Sequence, residues 1–189
     1  LDTTCNGAGP AHFGPANGNV VQAVKVHAAG NIVLAGNPGY RLGTAQFQSY
    51  AAVTRLTPAG QIDGSFNNGN VQEFSFSQPP DAAVDSSAQA FVIDDSERIV
   101  VSGDYDTNVI SGAAVQRLTP TGALDPAFAA GAPASNPPSG YTAGAIYAEP
   151  GGGFVVGSYG IAGGTGSVYL AKFLPDGTPN ASFGSSSTA

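Results

Sequence analysis

The chain has little charge, little sulfur and no long apolar run. Only 10% of its 189 residues are charged, compared with about 25% in an average soluble domain. Lys and Arg number 6 against 13 Asp and Glu, so the net charge is −7. A negative field of this kind disfavours nucleic-acid binding. Because no apolar run approaches the roughly 18 residues that cross a bilayer, we expect no membrane insertion.

Sulfur is nearly absent. The one cysteine, Cys5, can form neither an internal disulfide nor a CxxC zinc site. The chain has no methionine and begins at Leu1, so we expect it to be a processed or excised piece without a visible signal peptide. The scarcity of cysteine and lysine favours a secreted bacterial protein.

Glycine and proline, in contrast, are abundant. The chain has 27 Gly and 14 Pro, together about 22% of its residues. These are the two worst helix formers, while a hydrophobic content of 42% is enough for a packed core. The composition therefore predicts an all-β domain with many turns.

Two sequence blocks recur three times along the chain. The first is an apolar run, a polar or Gly-rich turn and a second apolar run ending in glycine, which is typical of a β-hairpin. It covers 23–36, 90–103 and 144–157. The second, at 52–66, 114–128 and 170–183, keeps 11 residues between a basic residue and a closing Phe. This constant spacing indicates structured elements joined by variable loops.

The repeats predict a single domain over 1–189, with units at about 6–66, 67–128 and 129–184. Because Leu1–Cys5 matches Leu124–Phe128, we interpret 1–5 as the tail of a preceding unit and 185–189 as a frayed tail. Cys5 then replaces the repeated Phe, as a small buried hydrophobe would. A metal ligand and a reactive thiol are the alternatives for this residue.

Together the two blocks resemble the delta-60 repeat, a β-propeller-like domain of unknown function. The residues that carry the resemblance are Gly36, Gly103 and Gly157, the segments Arg55–Gly60 and Arg117–Gly122, and the Asp-x-x-Phe endings at Asp63 and Asp125. The third copy departs from it, with Lys172 for Arg and Asn180 for Asp. The resemblance implies bacterial, often secreted or surface-associated repeat proteins, and it implies no catalytic residues.

We therefore expect an all-β, β-propeller-like fold of three blade-like units of short antiparallel strands. A single unit cannot bury both faces of its sheet, so it needs neighbours. Closed propellers have roughly 4–8 blades, and open strand edges promote association. We expect a homo-oligomer in which two chains close one ring. A fragment of a longer array and a non-propeller arrangement are the alternatives.

The basic residue of the second block is predicted to be a structural repeat position. Arg55, Arg117 and Lys172 recur on one side of the predicted strand. We expect them to pair with Asp63, Asp125 and Asn180, or to bind backbone carbonyls between blades. The alternative is a ring of cations that lines a channel and binds an anion.

A tyrosine follows each hairpin, at Tyr40, Tyr105 and Tyr159. Equivalent loops of a toroid lie at one end, where exposed aromatics can stack on sugars or bind a peptide. We expect Arg41 and Asp106 to be polar members of the same face. The alternative is that these loop residues pack on themselves.

No metal or cofactor is expected. Asp104–Asn108 begins like a calcium loop, but Val109 and Val115 stand where that loop needs Gly and Glu. Cys5, His12 and His27 fit no standard zinc spacing. Nucleophile-elbow, zincin, P-loop and dinucleotide-binding motifs are all absent from the sequence.

We therefore expect a non-catalytic, secreted or cell-surface bacterial module that binds a glycan or a protein partner or acts as a scaffold. The first alternative is a carbohydrate-active hydrolase or lyase that uses loop carboxylates. The second is a purely structural subunit of an oligomer or filament.

Overall fold

The computed structural model describes residues 20–27, 29–38, 41–42, 47–76, 85–107, 110–129, 134, 140–162 and 164–184. These residues form twelve β-strands and a 3-10 turn at Asn67–Gly69. The strands are β1 Val20–Val26, β2 Ile32–Asn37, β3 Arg41–Leu42, β4 Phe47–Gln48, β5 Ala51–Leu56, β6 Gln72–Phe74, β7 Asp85–Ile93, β8 Ile99–Asp106, β9 Ser111–Leu118, β10 Tyr141–Ala148, β11 Phe154–Ala162 and β12 Thr165–Phe173. The prediction of an all-β fold is confirmed.

The strands form three antiparallel sheets in chain order, and β3 and β4 pair as a separate hairpin. Sheet order is β1-β2-β5-β6 in unit 1, β7-β8-β9 in unit 2 and β10-β11-β12 in unit 3. The first strand of each unit carries a β-bulge against the second, between Val21 and Ala23, Ala88 and Ala90, and Ala143 and Ala145. A bulge increases local twist, so each sheet is twisted at the same place.

The three units stack face to face. Phe91, Ile99 and Val101 of unit 2 belong to one buried cluster with unit 1, and Val100 and Val115 belong to another with unit 3. We call the face of a sheet that packs on the following unit its trailing face, and the opposite face its leading face. Since strand neighbours alternate between faces, the middle sheet is apolar on both sides, whereas the outer face of each end sheet has no such partner among the described strands.

Turns with the same pattern of backbone hydrogen bonds follow β5, β9 and β12. In unit 2, the N–H of Thr119 donates to the carbonyl of Ala123 and the N–H of Gly122 to that of Thr119. Gly122 has φ +88°, a conformation that glycine adopts without steric cost. The following Phe128 is fully buried under the next unit. The second sequence block is therefore an element that joins neighbouring units.

The expected register of the third hairpin is wrong by one residue. The turn that begins at Asp94 corresponds to the one that begins at Glu149. In each, the N–H of the first residue donates to the carbonyl four residues later, and its carbonyl accepts the N–H three residues later. Ser158, not Gly157, is then the equivalent of Gly103. A slip of one residue moves a side chain to the other face of its sheet.

The expected loops after these hairpins are also shorter than predicted. Strands β8 and β11 run for 8 and 9 residues. Tyr105 and Tyr159 therefore lie within strands, not in loops. No helix in the part of the chain that the structure describes is long and apolar enough to cross a membrane.

Candidate functional site

An arginine joins each unit to the next. Arg117 lies on the trailing face of unit 2, where its Nε donates to Asp125 Oδ2 at 2.7 Å. Its Nη1 donates to the backbone carbonyl of Pro175, in the turn of unit 3. The guanidinium also covers the ring of Phe128, 4.8 Å from the centroid. One side chain thus fastens its own turn and the following turn.

Arg55 repeats this geometry between units 1 and 2. Its Nε donates to Asp63 Oδ2 at 2.7 Å and its Nη1 to the Pro120 carbonyl at 2.8 Å. The guanidinium lies 5.0 Å from the centre of the Phe66 ring. Each arginine thus forms an ion pair within its own unit and a hydrogen bond to the backbone of the next unit.

The carboxylates of these pairs are stabilised in their ionised form. The Ser65 hydroxyl is the main cause of the lowered pKa of Asp63, helped by Arg55. Burial opposes ionisation of Asp125, but the N–H of Ala127 and the guanidinium of Arg117 hold its pKa below the usual value. Each carboxylate is therefore charged at neutral pH and pairs with a charged arginine.

Lys172 of unit 3 does not pair with Asn180. Its Nζ donates to Glu149 Oε1 at 2.8 Å, while Asn180 Oδ1 accepts from the N–H and hydroxyl of Ser182. The expected pairing is wrong because the charged carboxylate of Glu149 attracts the Lys172 ammonium group more strongly than the neutral amide of Asn180 does. Phe183, under Lys172, is 40% exposed, in contrast to the buried Phe128.

A polar cleft of about 280 Å³ lies at one edge of the stacked sheets, where units 1, 2 and 3 meet. It is formed by the connection between β4 and β5, the start of β7, the end of β8 and the starts of β9 and β10. The residues that line it are Ser49, Asp85, Ser86, Ser87, Asp104, Tyr105, Asp106, Ser111, Gly112, Tyr141 and Thr142. Three carboxylates and several hydroxyls thus surround one concave surface.

Asp104 fastens the cleft to unit 3. Its Oδ1 accepts the backbone N–H of Ala143, at the bulge of β10. Its Oδ2 accepts Nε2 of Gln89 at 2.7 Å. Burial raises the pKa of Asp104, although both donors act in the opposite direction. The carboxylate is therefore a strut between two sheets, held in place by two N–H donors.

Asp85 fastens the cleft to unit 1. Its Oδ1 accepts the Ser49 hydroxyl at 2.8 Å and the Ser49 N–H at 3.2 Å. The N–H of Ser86 in turn donates to the Ser49 carbonyl at 2.9 Å. Nearby, Tyr105 packs closely on Gly112, where any added Cβ would lie 3.0 Å from the phenol oxygen. Hydrogen bonds to unit 1 and to unit 3 thus hold the walls of the cleft in place.

The structure brings together only some of the predicted binding residues. Tyr105 and Asp106 line the cleft. Tyr159 lies in a separate, shallower depression of about 710 Å³ on the trailing face of unit 3, which Ile161 and Val168 also line. Tyr40 lies outside the described residues, and Arg41 is described only by its backbone, which pairs with Gln48.

Sequence reasoning missed part of the cleft. Asp85, Ser49 and Tyr141 carried no signal, because they lie between the repeated blocks. The sequence indicates Asp104 only as the start of an incomplete calcium loop. Its position directly after the repeated Gly103 is the one signal that places it at the end of a hairpin. These residues meet because the sheets stack, not because they are close in sequence.

The described residues contain no group of three or more His, Cys, Asp or Glu side chains arranged to hold a metal ion. Both carboxylate oxygens of Asp104 already accept protein N–H groups. His27 lies in the β1–β2 turn, 3.7 Å from Glu97. Cys5 and His12 lie outside the described residues. The chemistry that the cleft offers is hydrogen bonding by carboxylates and hydroxyls beside an aromatic ring.

Two segments of the chain match a family model described as "Domain of unknown function (DUF5122) beta-propeller", over residues 98–128 and 154–183. These segments cover the second and third hairpin strands of units 2 and 3 and the turns that follow them. No curated protein and no solved structure matches the chain significantly. The second and third units are therefore similar to a β-propeller repeat family of unknown function.

Proposed function

We propose that this protein is a non-catalytic binding module whose ligand is a neutral glycan, bound in the polar cleft. The observation that carries the proposal is the cleft itself, which all three units build and which carboxylates, hydroxyls and two tyrosines line. Sugar recognition needs hydrogen-bond acceptors for hydroxyl groups and an aromatic surface for the apolar face of the ring.

The charge of the cleft defines the ligand class. Asp85, Asp104 and Asp106 lie around the same concave surface, and the whole chain carries a net charge of −7. A carboxylated or sulfated sugar would meet like charges at short range, which is unfavourable in a partly desolvated site. A neutral sugar instead donates its hydroxyl protons to these acceptors.

A secreted or cell-surface location in a bacterium is part of the same proposal. The sequence supports it by its scarcity of cysteine and lysine, and glycans are abundant ligands at cell surfaces. Fractionation of bacterial cells that express the protein, followed by its immunodetection in each fraction, tests the location. Recovery from the cytosol alone would overturn this part of the proposal.

Calorimetric titration of the intact protein with neutral and with uronic-acid oligosaccharides tests the ligand class. We expect binding of a neutral oligosaccharide that weakens at least about tenfold in Asp106→Ala, which removes an exposed acceptor worth about 1.4 kcal/mol. Asp95→Ala is the matched control, because Asp95 is an exposed carboxylate in the β7–β8 turn. Preference for acidic sugars, or equal loss in both variants, would contradict the proposal.

The convergence of three carboxylates favours one second candidate, a glycoside hydrolase. Such an enzyme needs a protonated carboxyl as general acid, and burial raises the pKa of Asp104. The two N–H donors on Asp104, however, suit a fixed acceptor better than a proton donor. Release of reducing ends from an oligosaccharide by the intact protein, abolished in Asp104→Asn and Asp106→Asn, would favour the enzyme over the binding module.

A further inference from the structure

The two end faces of the stack are apolar and open. On the trailing face of unit 3, the exposed apolar residues include Tyr147 at 64%, Val168 at 77% and Leu170 at 56%. The equivalent positions of unit 2 are Val92, Ala113 and Val115, which are 6%, 1% and 1% exposed. The same positions are therefore buried in unit 2, which a following unit covers.

The leading face of unit 1 shows the same contrast. Val21, Val24 and Val26 of β1 are 60%, 58% and 69% exposed. Their equivalents in β7 are Ala88, Phe91 and Ile93, of which Ala88 and Phe91 are at most 1% exposed and Ile93 packs on the cluster with unit 1. Units 2 and 3 bury the corresponding apolar face of their own bulged first strand against the preceding unit.

We propose that the trailing face of unit 3 docks on the leading face of unit 1 of a second copy of this chain. The contact would continue the interface that the chain already uses twice, between units 1 and 2 and between units 2 and 3. Each internal interface joins one trailing face to one leading face, and among the described strands one face of each kind is left over. This proposal concerns the ends of the stack and is independent of the proposed glycan cleft.

Because the two docking faces differ, the contact is heterologous. Such contacts either close into a ring or extend as a chain. Two copies together present six units, a number within the range of closed propellers. A closed dimer is therefore the species we expect, with both pairs of end faces buried.

Light scattering coupled to size exclusion tests the proposal with two complementary variants. Leu170→Glu disables the trailing face and Val24→Glu disables the leading face, so each alone should be monomeric. A 1:1 mixture should regain a dimer and nothing larger, because each member retains the face that the other lacks. Leu124→Glu is the control, since Leu124 in unit 2 is 42% exposed although unit 2 has neighbours on both sides.

A monomeric wild-type protein at millimolar concentration would overturn the proposal. A dimer that survives in Val24→Glu but not in Leu170→Glu would also overturn it, because it would indicate two trailing faces in contact. Circular dichroism and thermal melting of each variant distinguish lost docking from lost folding. A variant that does not fold is replaced by Val168→Glu or Val26→Glu, which change the same two faces at their most exposed positions.

Discussion

Arg117 and Asp125 form an ion pair at 2.7 Å inside the stack, and the same guanidinium donates to the Pro175 carbonyl of the next unit. The Arg117 side chain is only 4% exposed, whereas that of Arg55, in the same position of unit 1, is 15% exposed. A single residue thus holds together a turn, an aromatic ring and a neighbouring sheet. We therefore expect the contribution of this arginine to the free energy of unfolding to be larger where the side chain is more buried.

Arg117→Lys is expected to lower the free energy of unfolding by about 2–3 kcal/mol, because an ammonium group cannot donate to Asp125 and Pro175 with the geometry of a planar fork. Arg55→Lys is the matched comparison and should cost less, since its position is more exposed and better hydrated. Urea unfolding of both variants at neutral pH measures the difference. Equal losses would show that burial does not set the strength of this contact.

Asp125→Asn should make stability less sensitive to acid. The pKa of Asp125 in the folded protein lies below its ordinary value, so its contribution is complete above the unfolded pKa of about 3.9 and is lost as the pH falls through the folded pKa. At pH 7 we expect the variant to be less stable by about 3 kcal/mol, because a buried guanidinium loses its counter-charge.

The difference between the wild type and Asp125→Asn should shrink steadily below about pH 4, where the wild-type carboxyl also becomes neutral. Chemical unfolding at pH 7 and at pH 3 measures it. Asp95→Asn serves as the control, because Asp95 is an exposed carboxylate in the β7–β8 turn and is not a member of the Arg117–Asp125 pair. A difference that is the same at both pH values would refute the role of charge.

Gly122 combines a positive φ with a close contact between units. Its φ is +88°, and a Cβ there would lie 3.0 Å from the ring of Phe66 and from the N–H nitrogen of Asn67. Gly122→Ala should therefore destabilise the protein by about 2–3 kcal/mol, through backbone strain and a displaced Phe66.

Gly151→Ala separates these two effects. Gly151 has φ +95° but nothing within 4 Å of an added Cβ, so this variant should show only the backbone cost of about 1 kcal/mol. Thermal unfolding of the two variants gives the difference that is due to the contact with Phe66. If both lose the same amount, the closeness of neighbouring units at Gly122 has no energetic consequence.

Much of this architecture could be predicted because the repeats record it. The 11 residues from Arg117 to Phe128 are the same 11 that separate Arg55 from Phe66, and the turn that joins neighbouring units lies between them. The third hairpin was misplaced because a glycine was taken as its anchor. From Asp94 to Arg117 and from Glu149 to Lys172 the spacing is 23 residues, and this would have given the correct register.

The cleft was predictable only in part, for a physical reason. Tyr105 and Asp106 belong to a repeated strand and could be found, although the one-residue slip wrongly made Tyr159 equivalent to Tyr105. Ser49 lies in the connection between β4 and β5, and Asp85 is the first residue of β7, and both lie outside the repeated blocks. Their hydrogen bond at 2.8 Å depends on how two sheets stack, which no local pattern specifies.

Asp104→Asn should have a pH dependence opposite to that of Asp125→Asn. Burial raises the pKa of Asp104, so its contribution to stability is complete below the unfolded pKa of about 3.9 and is lost as the pH rises through the folded pKa. An asparagine avoids this cost of ionisation. Its Oδ1 can accept the Ala143 N–H, and its amide can pair with a rotated Gln89 side chain.

We therefore expect Asp104→Asn to gain stability relative to the wild type as the pH rises from about 4 towards neutrality. Urea unfolding at pH 3, 5 and 7 measures the trend. Asp104→Ala is the comparison that removes both acceptors, and it should be less stable at every pH because the Ala143 N–H and the Gln89 amide lose their partner. If Asp104→Asn instead loses stability relative to the wild type as the pH rises, the charged Asp104 carboxylate contributes more through its two N–H donors than its burial costs.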